Sequence, residues 1–157
     1  MKKFNSYRSY VLGLLAFLSV LTIAFIWSNS CLSRAESGAQ SGFVTKLLRA
    51  WFDPNGTIPE ETFHHFVRKG AHFAEFALLG LLVGGMFQAI RSHTGKPFYS
   101  LPVLIVLLVA VSDEYIQYFT DRGSAVKDVV LDFIGALSGL ACIAFFTYVL
   151  RKKTAKK

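Results

Sequence analysis

His72 and Glu75 stand at i and i+3, a spacing that puts both side chains on one face of a helix. A histidine beside a carboxylate can move a proton near neutral pH. Asp113, Glu114 and Gln117, then Asp128 and Asp132, supply further polar groups that could complete an acid/base or metal site. In that reading His72 is the acid/base, and Glu75 and Asp113 orient it or a metal. His-x-x-Glu is a low-specificity pattern, and carboxylate-rich sites suit hard cations as readily as none, so no metal and no cofactor is assigned. Arg68, Lys69, Arg122 and Lys127 lie in or beside the same segments. Their charges suit a phosphate or other anionic headgroup, while Glu114, Gln117, Asp128 and Asp132 could orient sugar hydroxyls or an amine. A third reading is a structural lock in which the charges only neutralise one another. Buried ion pairs are often no better for stability than apolar packing, which weakens that reading.

These residues interrupt an oily chain. Of 157 residues 53% are hydrophobic and 17% charged, and the mean hydropathy is +0.44. That composition suits about four membrane spans, read as 10–27, 71–90, 98–117 and 128–150, in a single domain over residues 1–157. The expected fold is all-α: a polytopic bundle of four transmembrane helices plus an external amphipathic helix. Consecutive spans alternate direction, so the start of the second, the end of the third and the start of the fourth lie on one side. Three helices thus bring ionisable groups to one place, at an insertion cost of roughly 3 kcal/mol for each Asp, Lys or Arg at membrane depth. The uncharged runs 76–90 and 97–112 are short of the roughly 20 residues a span needs, so Glu75 and Asp113 are drawn in with them.

The net charge of +7 does not mark a nucleic-acid binder, because no soluble basic face carries it. With four spans, ten of the seventeen Lys and Arg fall on the side of the termini: Lys2, Lys3, Arg8, Arg91, Lys96, Arg151, Lys152, Lys153, Lys156 and Lys157. The positive-inside rule then puts both termini in the cytoplasm of a multi-pass cell-membrane protein, with the polar cluster outside. Cys31 and Cys142 fall at opposite depths, which argues against a disulfide. A cleaved signal peptide is considered for the N-terminus, but an uncleaved first span is favoured by the length of its apolar run.

The external loop, 28–67, opens with a serine-rich stretch, Ser28 to Gly42, that reads as flexible linker. Phe43, Leu47, Leu48, Trp51 and Phe52 then recur at helical spacing, marking an amphipathic helix that lies at the headgroup boundary or packs on the bundle. Asp53 to Gly56 reads as a turn, and Thr57 with Glu60 as a capping box opening the second long helix. Along that helix Glu61, His65, Arg68, His72 and Glu75 form one stripe; His64 reads as a surface histidine, and His93 is assigned no role. Gly80 and Gly84, and Gly135 and Gly139, are small-xxx-small pairs that permit close helix approach. Asp128, Asp132, Gly135 and Gly139 share a stripe, so that face is expected to point inward.

Four ordered blocks carry a resemblance: Arg68-Lys69-Gly70-Ala71-His72-Phe73-Ala74-Glu75-Phe76, Ser112 to Gln117, Asp121-Arg122-Gly123-Ser124, and Lys127 to Gly135. Together they resemble the VanZ-like membrane protein family, over roughly residues 10–150. The family's namesake accompanies glycopeptide-resistance genes and raises resistance to teicoplanin, a lipid-bearing glycopeptide. The resemblance therefore implies a role at the outer envelope, with a membrane lipid or cell-envelope ligand as partner and oligomeric state left open.

Overall fold

The computed structural model describes residues 2–120 and 125–154, and they form five helices without a strand. These are α1 (Lys2–Ser30), α2 (Arg34–Phe52), α3 (Glu60–Thr94), α4 (Ser100–Tyr118) and α5 (Val126–Thr154). Four of them, α1, α3, α4 and α5, are long and apolar enough to cross a membrane. The chain is a multi-pass helical membrane protein.

Lipid offers no hydrogen bonds, so hydroxyls within the spans must be satisfied by the chain itself. Ser19 and Thr22 donate to carbonyls one turn back on α1, Ser112 does so on α4, and Ser138 and Thr147 do so on α5. Outward faces carry exposed apolar side chains such as Leu14, Phe17 and Val20 on α1 and Phe145 and Phe146 on α5. Exposed oil of this kind is the expected surface where lipid replaces water. Inside the bundle Phe76, Leu79, Val83, Val106, Ala110 and Ala136 form the core.

The glycine pairs have the packing role their spacing suggests. A Cβ on Gly80 would overlap the Ala136 carbonyl oxygen, and one on Gly139 the Ala77 carbonyl oxygen. Backbone therefore meets backbone between α3 and α5, an approach that small residues alone allow. The close seam sets the depth at which the N-terminal half of α5 faces α3.

The loop differs from its sequence reading in three ways. The serine-rich stretch is not a linker: α1 runs to Ser30, and α2 starts at Arg34. Ser33 caps α2 by accepting from the Glu36 amide while the Glu36 side chain returns to the Ser33 amide, so the capping box lies here. The expected box at Thr57 and Glu60 is absent. Pro59 precedes α3 with no side-chain cap, because the Thr57 hydroxyl donates to Asp53 instead. Asp53 also accepts from the amides of Thr57 and Ile58, which closes the turn between α2 and α3. Those donors, with the Thr57 hydroxyl foremost, hold its carboxyl below the ordinary value. Gly56 sits at φ +64°, the left-handed conformation the turn requires.

At 35 residues α3 is about 52 Å long, well beyond the roughly 30 Å of hydrocarbon in a bilayer. Its N-terminal turns are the part against which α2 packs. Ser41 of α2 bonds His64 of α3 at 2.8 Å, and Arg49 donates to the Ile58 carbonyl at 2.7 Å. Of the two readings of the amphipathic helix, packing on the bundle is what the structure shows: α2 packs on α3, while Phe43, Leu47 and Trp51 stay exposed as an apolar face.

Candidate functional site

The C-terminal end of α1, the N-terminal half of α3, the end of α4 and the start of α5 converge at one end of the bundle. Asp113 on α4 is the centre of the cluster, fully buried and held from two sides. Ser30 Oγ donates to its Oδ1 at 2.5 Å, and Gln117 Nε2, one turn on, donates to its Oδ2 at 2.9 Å. His72 Nδ1 lies 3.8 Å from Asp113 Oδ2 and 3.7 Å from Asp132 Oδ1. Asp132 is 1% exposed, and its Oδ2 has no hydrogen-bond partner among the described residues. The side chains of His72, Asp113 and Asp132 thus face one another from three helices.

Around this centre the remaining charges separate into distinct jobs. Lys69 pairs with Asp128 at 2.5 Å, tying α3 to the start of α5. Glu114 is buried and accepts from the Ala125 amide at 3.3 Å, tying α4 to the entry of α5. Lys127 is exposed. Arg122 lies outside the described residues. Glu75 accepts from Asn29 Nδ2 at 3.4 Å.

Beside the cluster a cavity of about 180 Å³ opens between α1, α2 and α3, lined on its polar side by Asn29, Ser37, Ser41, Arg68, His72 and Glu75. The sequence stripe reaches it selectively. Arg68, His72 and Glu75 line the cavity, whereas Glu61 and His65 remain on the exposed start of α3. The two neighbouring histidines exchange their expected places: His64 meets Ser41, and His65 is exposed. Leu32, Val44, Val67 and Ala71 complete the wall. Three of these, Val44, Val67 and Ala71, also line an adjoining apolar groove of about 410 Å³ with Leu48, Phe52, Phe63, Phe66 and Gly70. A polar chamber and an apolar trough therefore share a wall along the α2–α3 seam.

Sequence reasoning took three helices as contributors, and the structure adds two. Asn29 and Ser30 close α1 at the level of the cluster, and Thr120 anchors that end by donating to the Ser30 carbonyl at 3.0 Å. The alternation of span direction already puts the end of the first span on the same side as the cluster, so this contribution was legible. The walls supplied by α2 were not, because the stretch carrying Ser37 and Ser41 has linker composition.

Chemically, the site offers an imidazole between two carboxylates, an arginine whose buried Nε has no partner among the described residues, and an apolar trough alongside. The sequence model of the VanZ/LLP1 family matches residues 12–147. No curated protein and no solved structure matches the chain.

Proposed function

Because the chain belongs to the VanZ/LLP1 family, we propose that it is an envelope membrane protein whose α2–α3 cavity binds an amphiphile with an anionic headgroup, and that it thereby influences susceptibility to teicoplanin. The observation that carries this reading is the shared wall of Val44, Val67 and Ala71, which joins a polar chamber to an apolar trough. Headgroup and acyl chain of one molecule would occupy the two parts. Arg68 supplies the charge and forked donors that suit a phosphate, and Ser37, Ser41 and Asn29 offer hydrogen bonds to phosphate or sugar oxygens. Trp51 and Phe52, exposed at the end of α2, would seat that helix in the headgroup region. On this reading the cluster faces the outer leaflet and both termini are cytoplasmic. The structural lock fares less well, since a lock leaves no cavity and pairs each buried charge.

The test is mass spectrometry of lipid extracted from the full-length protein purified in mild detergent. Arg68→Gln removes the headgroup contact, and Val67→Trp fills the junction between chamber and trough. A lipid that copurifies with the wild type should fall at least tenfold in both variants. Identical lipid profiles in all three proteins would overturn the proposal.

An acid/base enzyme is the second reading, favoured by the position of His72 between Asp113 and Asp132 at the cavity wall. Asp132, rather than Glu75, would then be the group that works with Asp113 to orient the ring.

A further inference from the structure

We propose that His72, Asp113 and Asp132 bind one divalent transition-metal ion, of the zinc or manganese class, at the end of the bundle where α3, α4 and α5 meet. One ligand atom from each residue lies within 4.8 Å of the others. The His72 Nδ1 distances of 3.8 Å to Asp113 and 3.7 Å to Asp132 are too long for hydrogen bonds. They are close to the spacing a shared ion imposes: with metal–ligand bonds near 2.1 Å, tetrahedral geometry holds neighbouring donor atoms about 3.4 Å apart. The ligand atoms of the two aspartates, which lie within 4.8 Å of one another, would close on the ion to complete three coordination bonds.

Asp132 supplies the independent reason to expect a cation. Its side chain is 1% exposed, its Oδ2 is buried with no hydrogen-bond partner, and no Lys or Arg of the described residues lies within ion-pair distance of it. A buried carboxylate oxygen in that state is costly. Lys69 is committed to Asp128, and Lys127 is exposed. A dication bound here would neutralise both Asp113 and Asp132. Asp113 is already arranged as ligating carboxylates are, with Ser30 and Gln117 fixing its two oxygens by hydrogen bonds. One imidazole nitrogen and two carboxylate oxygens favour zinc or manganese over calcium or magnesium, which prefer all-oxygen sites.

The site does not depend on the amphiphile. His72 also lines the cavity, however, so the ion would lie where it could add positive charge opposite a bound headgroup.

The experiment uses full-length, tag-free protein in detergent, stripped with a chelator and dialysed against zinc or manganese chloride without added lipid. Elemental analysis should find one ion per chain. Binding should weaken at least tenfold in Asp132→Asn and remain in Glu61→Gln, which alters an exposed carboxylate on α3 outside the proposed set. Melting supplies a second readout. Metal should raise the melting temperature of the wild type but not of Asp132→Asn, and the stripped variant should melt no lower than the stripped wild type because it has lost a buried charge. No stoichiometric ion in the wild type, or full retention in Asp132→Asn, overturns the proposal. Should Asp132→Asn fail to fold, the wild-type melting shift decides, and no shift overturns it. None of these outcomes bears on Arg68 and Val67, through which lipid binding is tested.

Discussion

Ser30 has only a small hydroxyl, yet it fixes the orientation of the most buried carboxylate in the protein. Its hydroxyl donates to Asp113 at 2.5 Å, and its carbonyl accepts from Thr120. Removing the donor leaves a buried carboxylate oxygen short of a partner, which costs about 2 kcal/mol when the acceptor is charged. Ser30→Ala should therefore lower the melting temperature of the purified protein. Ser28→Ala is the control, because its hydroxyl merely donates to the Phe25 carbonyl at the surface. Equal melting of the two variants would mean that the Ser30–Asp113 bond contributes nothing to the fold. At this scale the sequence marked His72, Asp113 and Asp132 as costly intruders in apolar helices. It could not tell that Asp132 would face His72 while Asp128, one turn away, would be taken by Lys69.

Among the helices the α3–α5 seam sets everything near the site. Gly80 and Gly139 let the two backbones touch, and that contact determines where Asp132 stands relative to His72. A side chain at Gly139 meets the Ala77 carbonyl, which is backbone and cannot swing aside. Gly139→Val should destabilise the protein by about 3 kcal/mol, at the upper end of overpacking costs, and spread α3 from α5. Thermal melting of the variant beside Gly13→Val, where a Cβ meets nothing within 4 Å, checks this. The small-residue spacing was readable in advance, because a period of four on a helix needs no tertiary knowledge. The start of α2 was not readable. Serine and glycine content resembles linker, but Ser33 and Glu36 cap one another and the helix packs along α3, which outweighs poor intrinsic propensity.

For the whole molecule the open quantity is direction across the membrane. Basic residues gather near the termini and the loop end carries the cavity, so the proposed orientation exposes Cys31 outside. In intact cells, a Cys142→Ser protein should be labelled at Cys31 by a membrane-impermeant maleimide. Labelling only after permeabilisation would reverse the orientation and, with it, the outer-leaflet ligand. Cys31 is exposed in the fold, which makes it a usable reporter.

The sequence by itself determined the number and type of the spans, the inward small-residue face and the end at which charge collects. Each of these follows from local composition and helical period, which the bilayer makes nearly binding because it tolerates little else. Tertiary structure alone decided who meets whom at that end. Whether a carboxylate is paired with lysine, fixed by serine or left facing a histidine depends on the rotation and depth of each helix. Those are set by backbone contacts such as Gly80 against Ala136, between residues far apart in the chain. The trough beside the site arose in the same way, from α2 folding back along α3 rather than from any motif in either helix.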